Sequence, residues 1–207
     1  MHRLAIIGAG GHGRVAAEAA LLAGWSEITF YDDHWPKIKK NKVWQIAGRV
    51  GDFLEGPRQY DGVFVAVGDN LLREKIMKRI VKAGIPIISI YHPSSVISQF
   101  SVIGKGSLIL ANSVINPFCS IGDGVIINTS AVVEHDCLIE DFVHVSPNVS
   151  VGGTVTIRKG SWIGIGSAIK NNVTIEEKAV VGMGAVVTKN VDFEVTVVGI
   201  PAKPINL

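Results

Sequence analysis

The sequence has 207 residues, a formal net charge of +2 and an apolar fraction of 47%. This length allows one large domain or two small ones, and the mixed charges do not favour a nucleic-acid partner. No apolar run reaches the roughly eighteen residues that a membrane-spanning helix needs, and no signal peptide is recognisable after Met1, so we expect a cytoplasmic protein.

The chain opens with the pattern of a strand–helix–strand unit. Residues 3–8 predict a buried strand, residues 14–23 an alanine-rich helix and residues 28–31 a second strand. A glycine-rich turn joins the first strand to the helix. Its glycines would let the backbone approach a phosphate, and the helix N-terminus would favour the negative charge. The candidate ligand-binding residues at this edge of the sheet are Gly10, Gly11, His12, Asp32, Asp33 and Gly68.

The next sixty residues predict the rest of a small α/β domain. Residues 34–60 read as irregular, residues 62–67 as a third strand, residues 71–83 as a helix and residues 85–90 as a fourth strand. We therefore expect a small Rossmann-like parallel sheet over residues 1–90, which is too short for a complete dinucleotide-binding fold.

A strict six-residue repeat organises the remainder of the chain. An aliphatic residue recurs at every sixth position from Ile97 to Val187, and a small or β-branched residue follows each one four positions later. A six-residue period suits neither a helix nor a heptad coil. It suits a parallel β-helix in which three hexads form one triangular coil, so that residues 18 apart stack at roughly 4.8 Å.

Within this repeat the aliphatic residues are expected to fill the interior, and the fifth hexad position requires a narrow side chain. We expect the glycines after the aliphatics to permit the tight corners; they are Gly104, Gly122, Gly152, Gly164 and Gly182. The two cysteines, Cys119 and Cys137, lie 18 apart in the fifth position. A disulfide or a metal site is one reading, and a pair of small core residues in a reducing compartment is the other, which we favour.

His135 and Asp136 occupy the third and fourth positions of one hexad, at a turn outside the apolar interior. A histidine can act as a base near neutral pH, and an adjacent acid can orient it and raise its basicity. The alternative is a solvated surface histidine. His144 lies nine residues later, half a coil away, so the two histidines could meet only across a subunit interface.

Several stretches together resemble bacterial nucleotide-aminosugar N-acetyltransferases of the hexapeptide-repeat acyltransferase family, which act on a UDP-linked 4-amino sugar in bacillosamine synthesis or on GDP-perosamine. They are the glycine-rich turn 8–13, the run 31–33, the run 66–70, the run 128–137 with 144–146, and the tail 199–203. The sequence departs from the family's pattern at Asp136, where a glutamate is expected, and at Gly10, where a serine is expected.

The resemblance implies a left-handed β-helix domain over residues 91–207 with a C-terminal tail; the right-handed crossover rule alone would predict the opposite hand. It implies a homotrimer that acetylates a nucleotide-linked 4-amino-4,6-dideoxy sugar with acetyl-CoA and without a metal. His135 would be the general base and Asp136 its partner. The residues implied at acetyl-CoA are His144, Ile165, Gly166, Gly182 and Met183, and the candidate residues of the first domain would bind the nucleotide sugar.

Three other functions are compatible with parts of the sequence. A related enzyme could acetylate a hydroxyl, as sialic-acid O-acetyltransferases do. A trimer could bind nucleotide sugars without catalysis, although the retained histidines argue against this. An oxidoreductase could use the glycine-rich turn for NAD, but the α/β part is small and offers no evident partner for hydride transfer.

Overall fold

The computed structural model describes residues 2–56 and 59–205. Residues 1–93 and 94–207 form two compact units; Met1 and residues 206–207, which the predicted domains include, lie outside the described residues. Over the described part of the chain, no helix is both long enough and apolar enough to cross a membrane.

The first unit is an α/β domain built on a five-stranded sheet. In chain order its elements are β1 (Arg3–Ile7), α1 (Gly11–Leu22), β2 (Glu27–Tyr31), β3 (Lys40–Asn41), β4 (Trp44–Gly48), α2 (Val50–Glu55), β5 (Gly62–Val65), α3 (Asn70–Lys82) and β6 (Ile90–Tyr91). The strand order is β3-β4-β2-β1-β5, and β1 runs parallel to both β2 and β5.

Small residues allow α1 to lie close to this sheet. Four alanines on one side of the helix are almost fully buried: Ala16, Ala17, Ala19 and Ala20. At Gly13 the approach is closest, because a Cβ there would collide with the carbonyl oxygen of Gly8 and would stand 3.0 Å from the Phe30 ring. Gly13 is therefore required by packing between the helix and the first strand, whatever the turn binds.

Two predictions for the first unit were wrong. Residues 34–60 are not simply irregular, because β3 and β4 form an antiparallel hairpin whose second strand extends the parallel sheet beside β2, and α2 follows. The aromatic ring of Trp44 packs against Phe30 at 5.9 Å between centroids, which ties the hairpin to the sheet. Of the strand predicted over 85–90, only an isolated bridge between Val63 and Ile87 joins this sheet, since Pro86 has no N–H to donate to a ladder; Ile90 begins the short β6.

The second unit is a left-handed parallel β-helix, as predicted. Its strands make three parallel sheets, and strands three apart in sequence are neighbours in each sheet. The first sheet contains β7 (Val96–Ile97), β10 (Val114–Ile115), β13 (Val132–Val133), β16 (Ser150–Val151), β19 (Ala168–Ile169) and β22 (Val186–Val187). The second contains β8 (Val102–Ile103), β11 (Ser120–Ile121), β14 (Leu138–Ile139), β17 (Thr156–Ile157) and β20 (Thr174–Ile175).

The third sheet completes each coil and extends into the tail. It contains β9 (Leu108–Ile109), β12 (Ile126–Ile127), β15 (His144–Val145), β18 (Trp162–Ile163), β21 (Val180–Val181), β23 (Thr196–Val198) and β24 (Lys203–Ile205). In the tail, β24 folds back antiparallel on β23. The sequence pattern breaks after Val187, whereas the sheet continues because Val197 pairs with Val181 through a shortened coil.

The predicted register of the repeat is confirmed. Residues 18 apart pair in every coil up to Val187, as Val133 does with Ile115 and with Val151. The aliphatic residues form one buried core, and the fifth hexad position is filled by narrow buried side chains such as Ser107 and Ser161. Cys119 and Cys137 are buried and free, which supports their reading as core residues.

The corners of the β-helix depend on different residues from those predicted. The left-handed backbone conformation falls on the fourth hexad position in successive hexads; its residues are Gly106, Asn112, Phe118, Gly124, Ser130, Asp136, Phe142, Asn148, Thr154, Gly160, Gly166, Asn172, Lys178 and Gly184. The glycines directly after the aliphatics do not have this conformation. They are needed because the next coil approaches closely; a Cβ on Gly164, for example, would stand 2.7 Å from the backbone nitrogen of Met183.

Candidate active site

The turn after β13 presents His135 and Asp136 on the outside of the β-helix. Its backbone is tied to both neighbouring coils, because the Asp136 N–H donates to the carbonyl of Pro117 and the His135 carbonyl accepts from Thr154. Asp136 has a φ of 57°, in the left-handed region where aspartate is one of the better-tolerated non-glycine residues. The local fold therefore holds this pair at a defined corner.

The two side chains form a dyad. The distance from His135 Nδ1 to Asp136 Oδ2 is 2.7 Å, and about half of each side chain is exposed (56% and 54%). The hydrogen bond to Asp136 raises the pKa of His135 above its ordinary value. Because a carboxylate can only accept, Nδ1 carries the proton and Nε2 is left with the lone pair that a general base needs.

His144 lies on β15, in a different sheet of the coil from β13, so one chain does not place it on the face that carries His135. The side-chain nitrogen of Asn128 donates to His144 Nε2 at 3.2 Å. On the following strand Trp162 pairs with His144, and its indole N–H donates to the Ser146 hydroxyl at 2.9 Å. The sequence analysis assigned no role to Asn128, Ser146 or Trp162. Their spacing of 16 to 18 residues, about one coil, could have indicated that they lie close to His144.

The other residues that the family resemblance implies for acetyl-CoA binding lie on the turns that follow strands of the third sheet. Ile165 and Met183 are 18 apart, and their side chains are exposed to 51% and 78%. Gly166 has a φ of 67° and no atom near the position of a Cβ, whereas a Cβ on Gly182 would stand 2.6 Å from the side chain of Val198. The arrangement is an apolar, glycine-lined surface along one corner of the β-helix.

In the first unit the glycine-rich turn leads into α1, and Gly10 is its N-cap with no side-chain cap. A Cβ on Gly10 or Gly68 would meet nothing within 4 Å, so open space lies at both turns. An uncapped helix N-terminus beside open space suits an anion such as a phosphate. The buried Asn41, on the hairpin that sequence reasoning missed, holds the turn by donating to the Gly10 carbonyl at 3.2 Å.

Both acids after β2 accept hydrogen bonds from the domain itself. Asp32 Oδ2 accepts from the N–H of Ala9 at 2.8 Å, and Oδ1 accepts from the backbone and the ring of His34. Burial alone would raise the pKa of Asp32, but these hydrogen bonds outweigh it and lower the pKa. Asp33 Oδ1 accepts from the N–H of Val50 at the start of α2. Asp32 therefore stabilises the glycine-rich turn and Asp33 stabilises the start of α2, whatever ligand either acid contacts.

His12 and Arg73 form the buried side of this edge. Burial, with the charge of Arg73 as the second cause, lowers the pKa of His12 to about 4, so the ring is neutral near pH 7. Arg73 is fully buried and donates to the carbonyls of Val67 and Gly68 and to the side chain of Asn70. Arg73 was not predicted from the sequence. An arginine on the same face of α3 as the buried Ile76 and Ile80 could have indicated a buried polar contact.

Within residues 2–56 and 59–205, no three His, Cys, Asp or Glu side chains are grouped as a metal site would require. The described residues present a hydrogen-bonded histidine–carboxylate pair on one unit and an uncapped helix N-terminus on the other.

Comparisons with known proteins point to one family. Residues 3–80 match the model of the PglD N-terminal domain, and residues 100–135 match the bacterial transferase hexapeptide model of six repeats. The UDP-N-acetylbacillosamine N-acetyltransferase of Bacillus subtilis is 33% identical over 114 residues. That match covers 54% of this chain and spans only about half, 52%, of the relative.

Two solved structures match almost the whole chain. The acetyltransferase domain of PglB from Neisseria gonorrhoeae, in complex with acetyl coenzyme A, has a TM-score of 0.93 at 37% identity and covers 99% of both chains. A histidine-to-alanine variant of GDP-perosamine N-acetyltransferase from Caulobacter crescentus, in complex with CoA and GDP-perosamine, has a TM-score of 0.93 at 31% identity. It covers 100% of this chain and 98% of the other.

Proposed function

This chain belongs to the hexapeptide-repeat N-acetyltransferases of nucleotide-linked amino sugars, and we propose that it transfers the acetyl group of acetyl-CoA to the amine of a nucleotide-linked 4-amino-4,6-dideoxy sugar. The observation that carries the proposal is the His135–Asp136 dyad on an exposed corner of the β-helix. Structures similar over almost the full chain hold acetyl-CoA in one case, and CoA with GDP-perosamine in the other.

The proposed reaction is a direct attack without an acyl-enzyme. The neutral amine attacks the thioester carbonyl carbon, His135 Nε2 accepts a proton from the amine nitrogen, and the carbon–sulfur bond breaks as the CoA thiolate leaves. The proton then passes from His135 to the thiolate, so the products are the acetamido sugar and CoA. Asp136 holds the ring by its Nδ1–H and stabilises the imidazolium that forms. Both cysteines are buried in the core, which does not suit a nucleophile.

Acetyl-CoA is the co-substrate in this proposal, and the turns after the third sheet would bind it. The exposed apolar surface of Ile165 and Met183, with Gly166 and Gly182, suits an extended pantetheine chain. His144 would hydrogen-bond the thioester oxygen and stabilise the oxyanion. Because His144 and His135 lie on different faces of one β-helix, we propose a homotrimer in which these histidines meet between neighbouring chains.

The first unit would bind the nucleotide. The uncapped start of α1 at Gly10, Gly11 and His12 suits the diphosphate, and the open turn at Gly68 allows close approach. Asp32 or Asp33 would accept hydrogen bonds from the ribose or the base, with carboxylate lone pairs that are not used in contacts within the domain. The nucleotide, whether uridine, guanosine or thymidine, and the cytoplasmic location remain expectations.

The test is thiol release from acetyl-CoA with UDP-, GDP- and dTDP-linked 4-amino sugars and a free sialic acid as acceptors. We expect release with an amino sugar, and a loss of about 10²–10⁴-fold in kcat for His135→Ala with CoA binding retained. Release with the sialic acid alone would mean O-acetylation. If no acceptor supports release and acetyl-CoA does not bind, a non-catalytic binding protein replaces the proposal.

A further inference from the structure

The imidazole of His135 lies directly over Gly153, the residue one coil further along the β-helix. A Cβ built on Gly153 would stand 2.7 Å from both Cε1 and Nε2 of the ring and 3.3 Å from Cδ2. These three atoms are the nearest neighbours of that position, and no backbone atom is as close. The space for a side chain at Gly153 is therefore occupied by the His135 ring.

Backbone conformation does not explain the glycine. Gly153 is not among the residues with a left-handed φ, so its backbone would accept an alanine. The same turn position in the neighbouring coils is occupied by Pro117, His135 and Asn171, so the coil geometry tolerates side chains there. The nearest atoms that an added methyl group would meet belong to the ring.

We propose that Gly153 is a positioning residue for His135: its missing side chain gives the imidazole a surface on which it can lie with Nδ1 on Asp136. The catalytic consequence rests on the function proposed above, but the geometric part does not. Real Cβ atoms do not approach other atoms to 2.7 Å, so with alanine the ring must turn away. His135 is an exposed side chain that can rotate, so the ring would move and the coil would stay.

The decisive variant is Gly153→Ala. We expect the urea midpoint of unfolding to change little, because the ring can move at small cost. We expect kcat for acetyl transfer to fall about 10–100-fold, the cost of misplacing a catalytic group by about 1 Å. KM for acetyl-CoA and for the sugar nucleotide should stay close to the parent values, because Gly153 contacts neither in the proposed sites.

Two further measurements separate this inference from a general structural effect. The first introduces Gly153→Ala into His135→Ala, where the ring is absent; the change should then lower the residual rate no further. The second follows the His135 ring by NMR titration, assigned by the signal that is lost in His135→Ala. Its pKa should fall towards the ordinary histidine value in Gly153→Ala, because the bond to Asp136 that raises it is broken.

The titration needs no substrate, so it still tests the positioning role if the chain proves not to be an acetyltransferase. A fall in the His135 pKa without any acetyl transfer in the parent protein would support the geometry and overturn the proposed function. An unchanged pKa in Gly153→Ala, or an equal loss of rate in the presence and absence of the His135 ring, would overturn the positioning role.

Discussion

At the scale of single residues, the dyad is defined by two contacts of the His135 imidazole and by the backbone of its turn. Asp136 binds Nδ1, Gly153 lies beneath the opposite edge, and the turn backbone is tied to the coils on either side. Asp136 is itself in a left-handed conformation that aspartate tolerates. The shorter acid in place of the expected glutamate thus reaches the ring from a turn position that brings it close.

The charge of Asp136 predicts how activity depends on pH. In the proposed mechanism His135 accepts a proton only when its ring is neutral, so we expect the rate to fall as the pH falls through its pKa. Because the bond to Asp136 raises that pKa, Asp136→Asn should lower it, and the acid limb of the kcat profile should move to lower pH. The weaker base should also reduce the plateau by about 10–100-fold.

The measurement is a kcat profile from pH 5 to 9 for the parent and for Asp136→Asn at saturating substrates. Glu140→Gln is a control, because Glu140 is a partly buried acid of the same coil that pairs with Arg158 at 2.7 Å instead of with His135. Its profile should be unchanged. An acid limb at the same pH in the parent and in Asp136→Asn would show that another group controls the profile.

At the scale of elements, the proposed nucleotide-binding edge of the first unit is held by side chains from outside the glycine-rich turn. Asp32 from the end of β2 and Asn41 from β3 bind backbone atoms of that turn. Arg73 from α3 binds the carbonyls of the neighbouring turn at Val67 and Gly68. A buried guanidinium with several acceptors makes the turn after β5 rigid.

Replacing Arg73 should therefore destabilise the first unit. Arg73→Met removes the donor of the hydrogen bonds to the carbonyls of Val67 and Gly68 and to the Asn70 side chain, and we expect the free energy of unfolding to fall by about 1–3 kcal/mol. Arg73→Lys keeps the charge but not the fork of donors, so it should recover only part of the loss. In the described part of α3, Arg79→Met provides the control, since Arg79 lies in the exposed part of the last turn.

Urea unfolding followed by circular dichroism measures these changes, and KM for the sugar nucleotide shows whether the turn at Gly68 matters for binding. A large rise in KM with kcat unchanged would support the nucleotide site. Equal stability of Arg73→Met and Arg79→Met would contradict the structural role of the buried guanidinium.

At the scale of the whole molecule, the β-helix is stabilised by an interior repeated from coil to coil. The strand residues alternate, so that one side chain of each pair points inwards and the other outwards. On the second sheet Ile139 is fully buried, whereas Val102 is 65% exposed. Each coil buries its apolar side only against its neighbours, so a defect in one coil affects the stack.

These two positions make a matched pair for stability. Ile139→Ala should lower the free energy of unfolding by about 2–5 kcal/mol, through lost burial and the cavity left in the interior. Val102→Ala, at an outward position of the same sheet, should stay within about 0.5 kcal/mol of the parent. Thermal or urea unfolding measures both. Similar costs at the two positions would contradict the assignment of inner and outer faces.

The sequence by itself determined the β-helix, its register and the corner that carries the dyad. These follow from the six-residue period, because an inward-facing side chain recurs at every strand. The repeat can therefore be recognised in the sequence without knowing which distant residues are in contact. The same numbering placed His135 and Asp136 at an outer turn and Cys119 and Cys137 in the core, as observed. The first strands and both long helices of the α/β unit were also predicted within a few residues.

Only the tertiary structure decided which residues support those positions. Gly153 meets His135 across one coil, Asn41 reaches Gly10 from a hairpin, and Arg73 holds a turn from the buried face of a helix. The glycines after the aliphatics are required by the next coil, and the left-handed corners fall elsewhere. The physical reason is that these constraints are steric and polar contacts between residues distant in sequence. The six-residue period indicates which residues stack, but not which of them lack room for a side chain, and the contacts of Asn41 and Arg73 follow no period.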